Sequence, residues 1–199
     1  MKRPLLLACS SILMLGAAST QANNLINNPN FAVNVDGWSN GANSSIQFDA
    51  SQDANAAANS GSVAILETVS ASNPYTAQQC IVAPTASTYS FGAMVLAGSA
   101  AFYRMTCTAF ASADCSGSEL GSADADEGSP NANDWIPLDT ATPFTLPGGT
   151  GSVLCEVSGG IPVRRDGAQP AGAQIVLWAD DVYFGEGTTP VSLQSFSVD

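Results

Sequence analysis

The chain has 199 residues, with 17 acids against 5 lysines and arginines, no histidine, and a formal net charge of −12. Such a surface repels nucleic-acid phosphates and anionic lipid, which excludes them as partners. Without imidazole the usual base for a serine or cysteine nucleophile is missing, so a catalytic role is not expected.

Residues 1–22 carry an export signal. Lys2 and Arg3 form a positive start, Leu5 to Ala18 an apolar stretch, and Thr20-Gln21-Ala22 a small-x-Ala cleavage site. The stretch is shorter than the roughly 20 residues that span a bilayer, and polar Asn23-Asn24 follow it. Leu6-Leu7-Ala8-Cys9 imitates a lipoprotein box, but it leaves almost no apolar region before Cys9. N-terminal sequencing of the exported protein should begin at Asn23; an acylated Cys9 at the N-terminus would refute this. The mature chain would keep Arg104, Arg164 and Arg165 against 17 acids, a net charge of −14. The expected layout is a signal peptide over 1–22, one domain over 23–187, and a tail or edge strand over 188–199. The expected location is secreted, periplasmic or at the cell surface.

In the mature chain, short apolar runs broken by Gly, Pro, Asn and Ser predict an all-β sandwich. Leu25 to Phe31 reads as a first strand with its turn. Asp36-Gly37 makes a turn, and Trp38 plugs one end of the core. Ile46-Gln47-Phe48 alternates as a strand. Residues 51–61 form a polar, Ala-rich loop with weak helical character. Ser62 to Val69 is a strand, and Gln78 to Val82 another. Tyr75, after Asn73-Pro74, reads as an exposed loop residue. Thr88 to Ala97 places Tyr89, Phe91, Ala93 and Val95 on one face at period two. Ala101 to Ala111 places Tyr103, Met105, Cys107 and Ala109 on the core face, with Phe102, Arg104, Thr106 and Thr108 opposite.

Residues 112–134, with Asp114, Glu119, Asp124, Asp126, Glu127 and Asp134, read as an acidic surface loop with one short strand near Glu119-Leu120. Asp124 to Gly128 starts like a calcium loop, but Trp135 sits where the terminal glutamate should be. Trp135 to Leu138 resumes the sheet. Val153, Cys155 and Val157 face one way. Gly159 to Gly172 is a loop. Gln174 to Phe184 is the last strand, where alternation puts Asp180 with Val176, Trp178 and Val182, pointing inward. A buried carboxylate needs a partner: a backbone N–H, an Asn such as Asn28 or Asn30, or calcium.

Four cysteines follow the signal: Cys80, Cys107, Cys115 and Cys155. An even count in an exported chain predicts two disulfides, with three connectivities open. Cys107 and Cys155 both lie on apolar strand faces, so a bridge between them could cross the core and leave Cys80 with Cys115. The rival is a hairpin bridge, Cys107–Cys115.

Two stretches bracket the domain. Asn24-Leu25-Ile26-Asn27-Asn28-Pro29-Asn30-Phe31 with Gly37-Trp38 opens it, and Gln174 to Phe184, containing Asp180-Asp181-Val182, closes it. Together they resemble the opening and closing strands of carbohydrate-binding modules of the galactose-binding-like type. The resemblance implies a jelly-roll β-sandwich of two antiparallel sheets and non-catalytic binding of a polysaccharide or glycan. It assigns Trp38 and Trp135 to structural positions. It implies a structural calcium on Asp180, although the second acidic ligand of that pattern is Ala32 here. Relatives with a Gln-Cys strand and an Asp-Cys-Ser-Gly turn, matched by Gln79-Cys80 and Asp114 to Gly117, favour Cys80–Cys115 and Cys107–Cys155. Sugar rings stack on aromatic faces, so Phe102 and Phe110, with Arg104 as a donor between them, form the expected platform, and Tyr75 is a further candidate. The alternative is a structural or adhesive surface protein on the same sandwich, with no sugar site.

Overall fold

A computed structural model describes residues 23–56, 60–68, 74–100, 102–128, 134–160 and 174–186. The expected signal peptide, the 188–199 tail, Arg164 and Arg165 lie outside them. The described residues form β1 (Ser39–Asn40), β2 (Ser44–Asp49), β3 (Ser62–Glu67), β4 (Tyr75–Val82), β5 (Thr88–Ala97), β6 (Phe102–Phe110), β7 (Glu119–Gly128), β8 (Ile136–Asp139), β9 (Phe144–Thr145), β10 (Ser152–Gly160) and β11 (Ile175–Glu186). One sheet has the order β1-β4-β10-β6-β7 and the other β2-β3-β11-β5-β8, with β9 also paired to β5. Every pairing is antiparallel. The two sheets pack as an all-β jelly-roll sandwich. No helix among the described residues is long and apolar enough to cross a membrane.

The core follows from period-two alternation. Tyr89, Phe91, Ala93 and Val95 of β5 are buried, as are Tyr103, Met105, Cys107 and Ala109 of β6 and Val153, Cys155 and Val157 of β10. These are the faces the sequence predicts. Tyr89 stacks on Phe184 with ring centroids 4.4 Å apart. Trp38 is buried against Phe31, with ring centroids 5.4 Å apart.

The two bracketing stretches do meet. Leu25 N donates to Phe184 O at 2.9 Å, and Val182 N donates to Pro29 O at 3.0 Å. Residues 25–31 are nevertheless not a strand: among the described residues, the only ladder contact of the opening stretch is a bridge between Asn24 and Gly185. Asn28 (φ 51°) and Phe31 (φ 42°) are left-handed, which ends any extended run. The Asn24 side chain supplies the missing ladder bonds, donating to Val182 O at 2.9 Å and accepting from Phe184 N at 3.0 Å.

Three further expectations are corrected. Residues 119–128 form a full edge strand on β6, where a surface loop with only a short strand near Glu119-Leu120 was expected; Ala123 and Ala125 pack inward and Asp124 points out. Charged residues on an edge strand also discourage pairing with another chain. Tyr75 is not in an exposed loop; it opens β4 and is buried in the core. Trp178 does not point into the core either. Ala179 is the core residue, and β11 shifts register twice, so strict alternation fails along it. Trp178 is half-buried on the outer face and donates Nε1–H to Asp49 at 2.9 Å.

Candidate functional site

The outer face of the five-stranded sheet gathers the polar and aromatic residues that alternate with the core. Phe102, Arg104, Thr106, Thr108 and Phe110 are all half-buried there on β6. Residues directly opposite one another in an antiparallel pair share a face. One row across the sheet is therefore Ser39, Gln78, Glu156, Thr106 and Asp124. The next is Thr76, Ser158 and Arg104, and beyond it Gly160 lies opposite Phe102.

Phe102 is held in a specific pose. A Cβ built on Gly160 would lie 2.0 to 2.9 Å from three atoms of its ring, so the ring lies across the glycine. A strand glycine of this kind permits close approach of another group. The ring is thereby laid along the sheet at one end of the face. At the other end the 111–118 turn folds over β10. Cys115 N donates to Ser152 Oγ at 2.9 Å, and Ser152 Oγ–H donates to Ser112 O at 2.7 Å. Cys80, on the same face of β4, is bonded to Cys115. Phe110 lies in the row of Ser152, beside this turn.

The polar centre is electrostatically coupled. Burial raises the Glu156 carboxyl above its usual range, and the Arg104 charge beside it works in the opposite direction. Thr106 donates its hydroxyl to Asp124 at 2.6 Å. The centre thus offers carboxylate acceptors and a guanidinium donor fixed on strands. Sequence reasoning brought Phe102, Arg104 and Phe110 to this face but missed Glu156, Gln78 and Asp124. Glu156 was within reach, because it alternates with the inward Cys155 and Val157. Tyr75 is not part of this face.

Both expected disulfides form, Cys80–Cys115 and Cys107–Cys155. The second does not cross between the sheets. Cys107 and Cys155 are directly opposite on neighbouring strands, with Cα atoms 4.2 Å apart, on the core face of one sheet. The separation suits a non-hydrogen-bonded antiparallel pair.

Asp180 is fully buried, but on the side away from the sandwich interior, since Ala179 beside it faces the core. Its partners are not the opening stretch. Ala54 N donates to Oδ2 at 3.0 Å and Asp181 N to Oδ1 at 2.8 Å. Asn55 Nδ2 donates to Asp181 Oδ2, so the 53–55 segment is pinned over the bulge of β11. Burial is the main force pushing the Asp180 carboxyl up to about 7, with the Asp181 and Asp53 charges adding to it. Both oxygens already accept backbone N–H. Among the described residues no three carboxylates, thiols or imidazoles gather as a metal cage. The donor set present fits a hydrogen-bonded buried carboxyl.

No family model and no curated protein matches the sequence. Solved structures do match. The enzymatically active domain of bacteriophage CBA120 tailspike protein 4 aligns over 81% of this chain and 21% of its own, at 12% identity and TM-score 0.55. The N-terminal modules of Clostridium thermocellum endo-1,4-beta-D-xylanase 10B, CBM22-1 with GH10, solved with xylohexaose, align over 80% of this chain and 28% of theirs, at 13% identity and TM-score 0.56. The CBM22-1 xylan-binding domain of Paenibacillus barcinonensis aligns over 82% of this chain and 94% of its own, at 11% identity and TM-score 0.54. The chain shares its jelly-roll fold with these modules. The chain spans about a fifth of the tailspike domain and 28% of the xylanase modules, against almost the whole of the free-standing module. β6 and β10 lie side by side in this fold, and with them Phe102, Arg104 and Glu156.

Proposed function

We propose that the outer face of the five-stranded sheet binds an extended polysaccharide chain without cleaving it. The observation that carries this is the Phe102 ring laid across Gly160, on the same face as the Arg104 row and, beyond it, the Gln78, Glu156, Thr106 and Asp124 row. The ring offers a flat apolar surface for a sugar's C–H face, and the row offers hydrogen-bond partners for its hydroxyls. From Phe102 to Phe110 the strand covers about 27 Å at roughly 3.4 Å per residue, room for several sugar units. The lack of histidine and the fold's likeness to xylan-binding modules both favour binding over turnover. Two disulfides favour an oxidising, extracytoplasmic setting.

Stacking on an open face gives weak affinity, with dissociation constants in the micromolar to millimolar range. The test is affinity electrophoresis and calorimetry on xylan, β-glucan and galactan. Phe102→Ala is expected to weaken binding at least tenfold with little change in melting temperature. Gly160→Ala should weaken it too, because the new methyl displaces the ring while leaving its chemistry intact. Retention of no polysaccharide by the wild-type protein would overturn the proposal and leave the structural or adhesive role. Turnover of any of them would overturn the non-catalytic reading.

A further inference from the structure

The two disulfides stand in opposite environments. Cys107 and Cys155 are both fully buried in the core. Cys80 is exposed on the outer face of β4, and Cys115 is half-buried in the 111–118 turn. A thiolate must reach a sulfur in line to break the bond, so access selects between the two bridges. We propose that Cys80–Cys115 is a thiol-exchange site whose opening releases the 111–118 turn, and with it the Phe110 end of the outer face. The binding consequence rests on the function proposed above; the release of the turn does not.

The exchange balances without further reagents. A thiolate of a small dithiol attacks the exposed Cys80 sulfur, and Cys115 leaves as a thiolate. The second thiol of the reductant then attacks the mixed disulfide, forming a cyclic disulfide and freeing Cys80. One disulfide is reduced and one dithiol oxidised. Cys107–Cys155 is untouched, because its sulfurs are reached only through unfolding.

The turn depends on this tie. Cys115 sits at φ 55°, a left-handed conformation uncommon for a residue with a Cβ, and needs its surroundings to hold it. Once the bridge opens, the hydrogen bonds from the turn to β10 among the described residues run through one hydroxyl, Ser152 Oγ. The Ser112 and Ser116 side-chain hydroxyls bond within the turn. Phe110 borders this segment, so a sugar at that end would lose one wall of its site. Phe102 is eight positions away along β6 and keeps its seat on Gly160.

The experiment treats the native, oxidised protein with dithiothreitol, alkylates it, and maps the label. Alkylation at Cys80 and Cys115 alone is expected, with Cys107 and Cys155 labelled only after denaturation. Limited proteolysis should then cut within Ser112–Ser118, and the Cys80→Ser, Cys115→Ser double variant should show the same cut without reductant. On a polysaccharide that the oxidised protein retains, reduction should weaken binding several-fold, and reoxidation should restore it. Labelling of all four cysteines together, no native labelling, or a turn as protected after reduction as before would each overturn the proposal. An oxidised protein that binds no polysaccharide would sink the glycan-binding function, while labelling and proteolysis would still judge the exchange site.

Discussion

Alanine at both Cys107 and Cys155 is expected to lower the unfolding free energy by about 4 kcal/mol. The bridge closes a loop across a separation of 48 residues, and freeing a loop of that length returns about 4 kcal/mol of chain entropy to the unfolded state. The loss of two sulfurs from fully buried positions adds a packing cost. Alanine is the informative replacement, since serine would bury a hydroxyl without a certain partner. For a domain of this size the melting temperature should fall by roughly 10 °C. The comparison is the Cys80→Ser, Cys115→Ser variant. Its separation of 35 residues predicts nearly the same entropic loss, but the hydroxyls replacing its sulfurs remain within reach of water. The core pair should therefore cost more. Equal shifts in urea melts would show that chain entropy accounts for both bridges and that packing around Cys107–Cys155 contributes nothing.

The sandwich was legible where alternation was strong and both faces told the same story. In β5, Tyr89, Phe91, Ala93 and Val95 mark the strand and its buried face, and its observed bounds match those predicted. In β6 the same alternation fixes the outward row that carries Phe102 and Arg104. Legibility failed where side chains or a bulge replaced regular pairing. β7 is acidic and Gly-broken, and its inward markers among the described side chains are the small Ala123 and Ala125, which carry little hydrophobic signal. Missing that strand removed Asp124 from the expected site. Tyr75 was misread because Pro74 before it suggested a loop, although proline is acceptable ahead of a strand's first residue. In β11 the register shift between Asp180 and Tyr183, with Asp181 at φ 46°, breaks the period. The core residues Val176, Leu177, Ala179 and Val182 cannot then be sorted by parity. The partner of Asp180 was beyond reach for a different reason. It comes from a loop 126 positions earlier in the chain, and no local pattern announces that contact.

That carboxyl sets the sign of the pH dependence. Asp180 is pushed from 3.8 up to about 7 in the folded protein, so the native state holds its proton more tightly than the unfolded chain. Stability is therefore greatest below the unfolded value and declines as pH rises toward 7. Burial also raises the Asp181 and Glu156 carboxyls, and these act in the same direction. Asp49 and Asp114 are held low by hydrogen bonds and act oppositely, but only at more acid pH, where they take up protons. Between pH 5 and 8 the raised group should dominate. A difference of this size corresponds to at most about 4 kcal/mol. Solvent near the half-buried Asp53 and Asp181 should screen this to roughly half. The melting temperature should accordingly fall between pH 5 and pH 8, and Asp180→Asn should flatten that slope while losing one backbone N–H bond to the 53–55 segment. Calcium predicts the reverse. A bound cation would favour the charged carboxylate, remove the decline, and make the melting temperature drop on chelation. A profile with the same downward slope before and after chelator supports the hydrogen-bonded carboxyl; a slope that appears only after chelation assigns Asp180 to a metal.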